Sequence, residues 1–281
     1  MGNSAGMSAH VFEISLKEIR MDEKPFDHGG FGDVYKAKWR KNDVVVKVVR
    51  TYNEEQKQNV IHEANLTFSF RHPNVIDLFG IVQVNSWQVG IVMEKAKLGS
   101  LDLWIGKMDH GQLRKTALGI VHGLKYVHSQ NVIHRDIKPR NILMFGPADN
   151  MIPKIADFGA AKIIERTTEN TNIGEYTYIA PEVAQHCQYG FAADIFSLAV
   201  TMFEMFNEQL ISRAPTEVKR FMLDVHAGKV AKIPRSKCVV PVYLINVVER
   251  GLSSNPAERP TLPEYQATLM NSAYGYFFKF N

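Results

Sequence analysis

The chain has 281 residues, 45% of them hydrophobic, enough to bury a core in one large or two smaller domains. Its 33 Lys and Arg against 29 Asp and Glu leave a formal charge of +4 with no block of like sign, which removes the usual footprint of a nucleic-acid-binding surface. Cys187 and Cys238 form no C-x-x-C pair, so neither a disulfide framework nor a thiolate metal site is expected, and a reducing, cytoplasmic setting is.

Residues 1–11 open with Met1-Gly2-Asn3-Ser4-Ala5-Gly6 and read as a flexible tail of small residues. They lack the basic and apolar regions of a secretory signal, and Gly6 stands where a myristoylation signal wants Ser or Thr. From 14 to 93, apolar alternation and β-branched runs such as Val44-Val45-Val46 and Ile91-Val92 predict a sheet, interrupted by one helix over about 54–70. After Leu98-Gly99-Ser100 the periodicity turns helical. Leu113, Leu118, Ile120, Val121, Leu124 and Val127 recur mostly at steps of three and four, as do Ile195, Leu198, Met202 and Met205. The most apolar helical run, 196–206, contains Glu204 and is too short to span a membrane, so no transmembrane segment is expected. The expected division is a β-rich unit over 12–93, a connection over 94–99, a mainly helical unit over 100–273 and an aromatic tail over 274–281. No signal for an oligomeric state is present.

Short motifs fall on this layout in a fixed order. His62-Glu63-Ala64-Asn65-Leu66 begins like a zinc-protease helix, but Leu66 occupies the second ligand position and the metal reading fails. Asp27-His28-Gly29-Gly30-Phe31-Gly32-Asp33-Val34 lies between two predicted strands, with glycines where backbone could approach a phosphate; an ordinary hairpin turn would read the same. Lys47 closes an apolar strand run, where a buried ammonium needs an anion, and Glu63 on the following helix can supply one. A lysine at an exposed strand end is the plainer alternative. His134-Arg135-Asp136-Ile137-Lys138-Pro139-Arg140-Asn141 matches a phosphoryl-transfer loop, H-R-D-L-x-x-x-N, with Ile for Leu. In that pattern Asp136 takes or orients the proton of an attacking hydroxyl, Lys138 offsets charge on the phosphoryl group, and Asn141 offers an amide oxygen to a divalent cation. Ala156-Asp157-Phe158-Gly159 supplies the second cation ligand, Asp157.

Together with Ala180-Pro181-Glu182, these motifs resemble a eukaryotic-type protein kinase domain over residues 12–270. Phe12-Glu13-Ile14 and Val34-Tyr35-Lys36-Ala37-Lys38-Trp39 are similar to the tyrosine-kinase-like group, whose members mostly phosphorylate serine and threonine. The resemblance implies an α+β, bilobal fold: a small antiparallel N-lobe with one regulatory helix and a larger, mainly α-helical C-lobe. It implies ATP and Mg2+, with Mn2+ as a substitute, and a protein substrate. Gly29, Gly30, Phe31 and Gly32 would cover the phosphates, and Lys47 would hold the α- and β-phosphates while paired with Glu63. Met93 would be the gatekeeper, Glu94 and Ala96 would read the adenine edge through main-chain atoms, and Val34, Val45 and Leu143 would sandwich the ring. Thr67, Leu78, His134 and Phe158 match the family's regulatory stack, anchored by Asp194, and Arg259 should pair with Glu182. Lys138-Pro139-Arg140 resembles the Ser/Thr version of the loop. Arg135 would receive a phosphate placed on Thr167, Thr168 or Thr171.

Departures from the family pattern are Asp27 for the first glycine of the phosphate loop, Val45 for the usual alanine, and Glu175 where a threonine normally contacts the catalytic Asp and Lys. An alternative therefore stands beside the active kinase: a pseudokinase that keeps the fold as a nucleotide-binding or scaffolding module. Retention of Lys47, Glu63, Asp136, Asn141 and Asp157 favours activity.

Overall fold

The computed structural model describes residues 11–29, 32–163, 176–184, 190–208, 210, 220, 223–225, 227 and 240–271, within two compact units, Met1–Ala96 and Lys97–Asn281. Alternating side chains build the first. Its strands are β1 (Ile19–Met21), β2 (Asp27–Gly29), β3 (Gly32–Trp39), β4 (Asn42–Arg50), β5 (Leu78–Asn85) and β6 (Gln88–Glu94), with helix α1 (Glu54–Ser69) between β4 and β5. All pairs are antiparallel in the order β1-β3-β4-β6-β5, and β2 pairs with β3. Val44, Val46 and Val48 turn to one face of β4 and pack with Ile14, Ile19, Ala37, Val82 and Val92. Lys47 and Val45 necessarily take the other face, because successive strand residues alternate. α1 covers part of that face: Val60 and Ala64 pack on Leu78, Val89 and Ile91. The helix starts where Asn53 accepts a hydrogen bond from the Gln56 N–H at 2.8 Å.

The second unit contains, among the described residues, α2 (His110–Ser129), β7 (Val132–Ile133), β8 (Ile142–Phe145), β9 (Ile152–Ile155), β10 (Lys162–Ile163), α3 (Pro181–Ala184), α4 (Phe191–Phe206), α5 (Val242–Gly251) and α6 (Leu262–Met270). Asp109 and Gln112 close a reciprocal cap at the start of α2, each side chain accepting the other's main-chain N–H, at 2.8 and 2.9 Å. Leu113, Ile120, Val121, Leu124 and Val127 then form its buried stripe. α4 is apolar on nearly all sides and is correspondingly buried from Ala193 to Phe206. α5 reaches it closely because Gly251 has no side chain; a Cβ there would stand 2.6 Å from Cβ of Ala199. The short antiparallel pairs β7–β10 and β8–β9 carry the polar loop residues, and β7 and β9 lie against α2. No described helix is long and apolar enough to cross a membrane. The architecture is the α+β arrangement expected, an antiparallel sheet with one helix followed by a mainly helical unit.

Candidate active site

Asp194, near the start of α4, fixes the loop that follows β7. Its carboxylate accepts the main-chain N–H of His134 through Oδ2 and of Arg135 through Oδ1, both at 2.8 Å, and also the His128 Nε2–H at 2.7 Å. Burial alone would push this carboxyl up, but the hydrogen bond and charge of His128, with help from His134, outweigh it and hold the pKa below the ordinary value. The anchored turn takes Arg135 to φ 67°, a left-handed conformation that an unsupported arginine rarely adopts. Arg135 is itself buried, and its Nε donates to the carbonyl of Ala160.

His134 is a packing residue. Its Nε2 must donate to the Ala156 carbonyl at 3.1 Å, and its Nδ1 must accept from the Asp136 N–H at 3.3 Å, which defines one neutral tautomer. Desolvation lowers its pKa and keeps the ring uncharged. The imidazole meets Phe158 edge-on, with centroids 4.8 Å apart.

Asp136 is held by one oxygen. Its Oδ2 accepts from Asn141 Nδ2 at 2.7 Å and lies 3.1 Å from Lys138 Nζ, while Asn141 Nδ2 also donates to the Asp136 carbonyl at 2.8 Å. Its Oδ1 is buried and accepts no hydrogen bond. Leaving a buried acceptor unpaired costs about 1–3 kcal/mol, so an oxygen kept in that state points to use by a substrate. With its amide nitrogen committed to Asp136, Asn141 has its Oδ1 directed elsewhere. The Asn141 carbonyl accepts the Ala156 N–H at 2.9 Å, which brings the neighbouring Asp157 alongside. Asp157 sits at φ 63° and caps the turn Phe158–Ala160 through Gly159 N–H at 3.4 Å. An amide and a carboxylate oxygen suit a hard divalent cation that completes its shell with water and phosphate oxygens. No group of three or more His, Cys, Asp or Glu that could hold a metal ion occurs among the described residues.

In the first unit, strand register gathers Val34, Val45, Lys47 and Met93 on one face of the sheet. Val34 is opposite Lys47 and Val45 is opposite Met93, and directly paired residues share a face. Lys47 is 9% exposed and Glu63, on the helix covering this face, is half-buried. Glu94 ends β6, its N–H bonded to the Asp77 carbonyl at 3.1 Å and its Oε1 accepting the Asp77 N–H at 2.8 Å; half-buried Ala96 follows. In the second unit, Leu143 is half-buried between fully buried Ile142 and Met144, and so offers an apolar surface on the opposite side of β8.

The glycine hairpin carries a clamp not anticipated from sequence. His28 and Asp33 are cross-strand partners with Nδ1 and Oδ1 2.8 Å apart, and Arg50 reaches Asp33 Oδ2 at 3.2 Å. Gly29 and Gly32 lie just inside that pair, and Gly32, at φ 138°, has the Val48 carbonyl where a Cβ would go. Gly30, Phe31, Thr167, Thr168, Thr171, Glu175, Cys187, Cys238 and the aromatic tail 274–281 lie outside the described residues. His128 was also missed, since its partner Asp194 is 66 positions away. The expected Arg259–Glu182 pair is present and bidentate, both contacts at 2.7 Å.

A protein kinase domain model matches residues 23–271. Similar curated proteins include the serine/threonine-protein kinase STY17 of Arabidopsis thaliana, 29% identical over 90% of this chain and 44% of its own length. Mitogen-activated protein kinase kinase kinase 10 of Xenopus laevis is 30% identical over 93% of this chain and 27% of its own, and its Homo sapiens namesake is 32% identical over 70% and 22%. The chain thus spans less than half the length of these relatives. With a buried carboxylate poised in a loop of the matching pattern and a family model covering most of its length, the chain belongs to the eukaryotic-type protein kinase family, within which it resembles the tyrosine-kinase-like group.

Proposed function

We propose that this chain transfers the γ-phosphoryl group of ATP to serine or threonine hydroxyls of protein substrates, with Asp136 as catalytic base. The observation that carries the reading is the asymmetry of Asp136: Oδ2 is fixed by Asn141 and Lys138, and buried Oδ1 accepts no hydrogen bond. A substrate hydroxyl supplies the missing donor. As its oxygen bonds to the γ-phosphorus, the proton passes to Oδ1, the bond to the β,γ-bridging oxygen breaks, and ADP leaves. Lys138, already beside Oδ2, offsets negative charge on the group in transfer. Mg2+, for which Mn2+ can substitute, would be held by Asn141 Oδ1 and the Asp157 carboxylate and would neutralise phosphate charge. Lys47 would engage the α- and β-phosphates, Glu63 would orient it, and Gly29, Gly30, Phe31 and Gly32 would cover the phosphates. Val34, Val45 and Leu143 would contact adenine beside the gatekeeper Met93, with Glu94 and Ala96 on its polar edge. Serine/threonine preference is supported by Lys138-Pro139-Arg140 and by the name of the Arabidopsis thaliana relative. Two cysteines in the chain support a cytoplasmic setting.

The test is transfer of radiolabelled γ-phosphate to the chain itself and to a generic basic protein. Asp136→Asn keeps the shape but removes the base, and should lower transfer by about 10²–10⁴-fold. Equal transfer by both proteins would refute the assignment.

A further inference from the structure

The sheet of the first unit ends at β5, yet the edge is covered. Residues 11–14 run beside it: Glu13 bridges Ile81 in parallel, the Ile14 N–H donates to the Ile81 carbonyl at 2.7 Å, and the Ile81 N–H donates to the Phe12 carbonyl at 2.9 Å. Gly80 makes room for this approach. A Cβ on it would collide with the Phe12 carbonyl and stand 2.9 Å from Ile14 Cδ1. Ile14 is 1% exposed within the core on one side of the sheet, whereas Val11 packs against the cluster of Val60, Ala64, Leu78, Val89 and Ile91 under α1. The segment then leaves the sheet for the helix: the Val11 N–H donates to Asn65 Oδ1 at 2.6 Å, across 54 positions of chain.

α1 buries few of its side chains. Of its 16 residues only Val60, Ala64 and Thr67 are buried, a stripe of medium and small side chains along one side. Ala64, at 0% exposure, marks the line of closest approach to the sheet. Each helical residue advances about 100° around the axis, so Glu63 and Asn65 flank Ala64 on opposite sides. A bond at Asn65 therefore opposes rolling of the helix about its axis, the motion that would carry Glu63 towards or away from the face that bears Lys47.

We propose that Asn65 is a positioning residue, and that residues 11–14, seated on Gly80 and bonded to Asn65, set the rotation of α1 and with it the placement of Glu63. The positioning role rests on the kinase reading of Glu63 and Lys47 given above; the tether itself does not. Asn65→Leu removes the acceptor while keeping the branched shape, Asn65→Asp keeps an acceptor oxygen, and Gly80→Ala dislodges the segment without touching the helix.

Amide hydrogen exchange of α1 and steady-state phosphoryl transfer, measured on the full chain, test both parts. N65L and G80A should each speed α1 exchange and lower kcat about three- to tenfold, the shift one net hydrogen bond supports, with KM for a peptide substrate little changed. N65D should restore both readouts, and the N65L/G80A double variant should be no worse than the stronger single change, since both break one linkage. Wild-type exchange in α1 of both single variants overturns the tether, and faster exchange with unchanged kcat overturns the positioning role. A wild-type chain that transfers no phosphate would instead refute the kinase reading, whatever α1 does.

Discussion

His134 and Asp194 hold the same loop through opposite charge requirements, one neutral and one ionised. Desolvation depresses the His134 pKa, so below the ordinary histidine value of about 6.5 the unfolded chain binds a proton that the folded one refuses. Stability is therefore lost progressively from that pH down to the depressed value. The Asp194 pKa is also depressed, and the stability it contributes above the ordinary aspartate value of about 3.9 is lost as pH falls through the folded one. Both effects have the same sign. The melting temperature should decline on acidification from pH 7.5 to 5, and less so in His134→Phe, which keeps the packing on Phe158 but has no imidazole to protonate. A parallel decline in both proteins, followed by differential scanning fluorimetry, would show that other groups dominate this window.

Helix ends and loops are tied by a few ion pairs that differ widely in exposure. Arg250–Glu264 joins α5 to α6 in the open and should contribute little. Arg259 is nearly inaccessible and fork-bonded to Glu182 on α3, with a further bond at 2.8 Å to the Ala192 carbonyl at α4. Glu182→Gln removes the charge that compensates a buried guanidinium and should cost about 3 kcal/mol in chemical denaturation, against less than about 1 kcal/mol for Glu264→Gln. The elements that these pairs join were largely legible. The helix expected over 54–70 is Glu54–Ser69, because periodicity and a capping Asn53 both act over a few neighbouring residues. Asp136, Lys138 and Asn141 were legible for the same reason, being contiguous, and the register of β4 placed Val45 and Lys47 on a common face. What the sequence hid was long-range: Val11 to Asn65, His128 to Asp194, and Arg50 to Asp33 join distant positions and leave no local periodicity. By sequence Arg135 resembles a phosphate receiver, and only the fold reveals it buried against the Ala160 carbonyl.

The proposed nucleotide binding offers a thermal readout. A ligand present at about 100 times its Kd stabilises the folded state by about 2.7 kcal/mol, a shift of several degrees in Tm for a domain of this size. Mg-ATP should raise the Tm of the wild-type chain, and chelation with EDTA should remove much of that rise. Lys47→Met should shrink the rise while leaving its metal dependence, because under the proposed function the change removes a phosphate partner. Asp157→Asn should shrink it and leave little for EDTA to remove, because under the proposed function the change removes a cation ligand. Identical metal-dependent shifts in all three proteins would place the nucleotide elsewhere.

The left-handed backbone at Arg135 and Asp157 has a consequence for anyone who would engineer this chain. Each conformation is uncommon for the residue that occupies it, and at Arg135 it persists because the buried Asp194 carboxylate holds the main chain, so part of the folding free energy is committed to orienting polar groups. A library selected for heat resistance alone would be rewarded for relaxing these turns, yielding sturdier proteins that have lost turnover. Stabilising substitutions are better sought on exposed helical surface, such as the outer side of α2, where gains in propensity leave the loop geometry untouched.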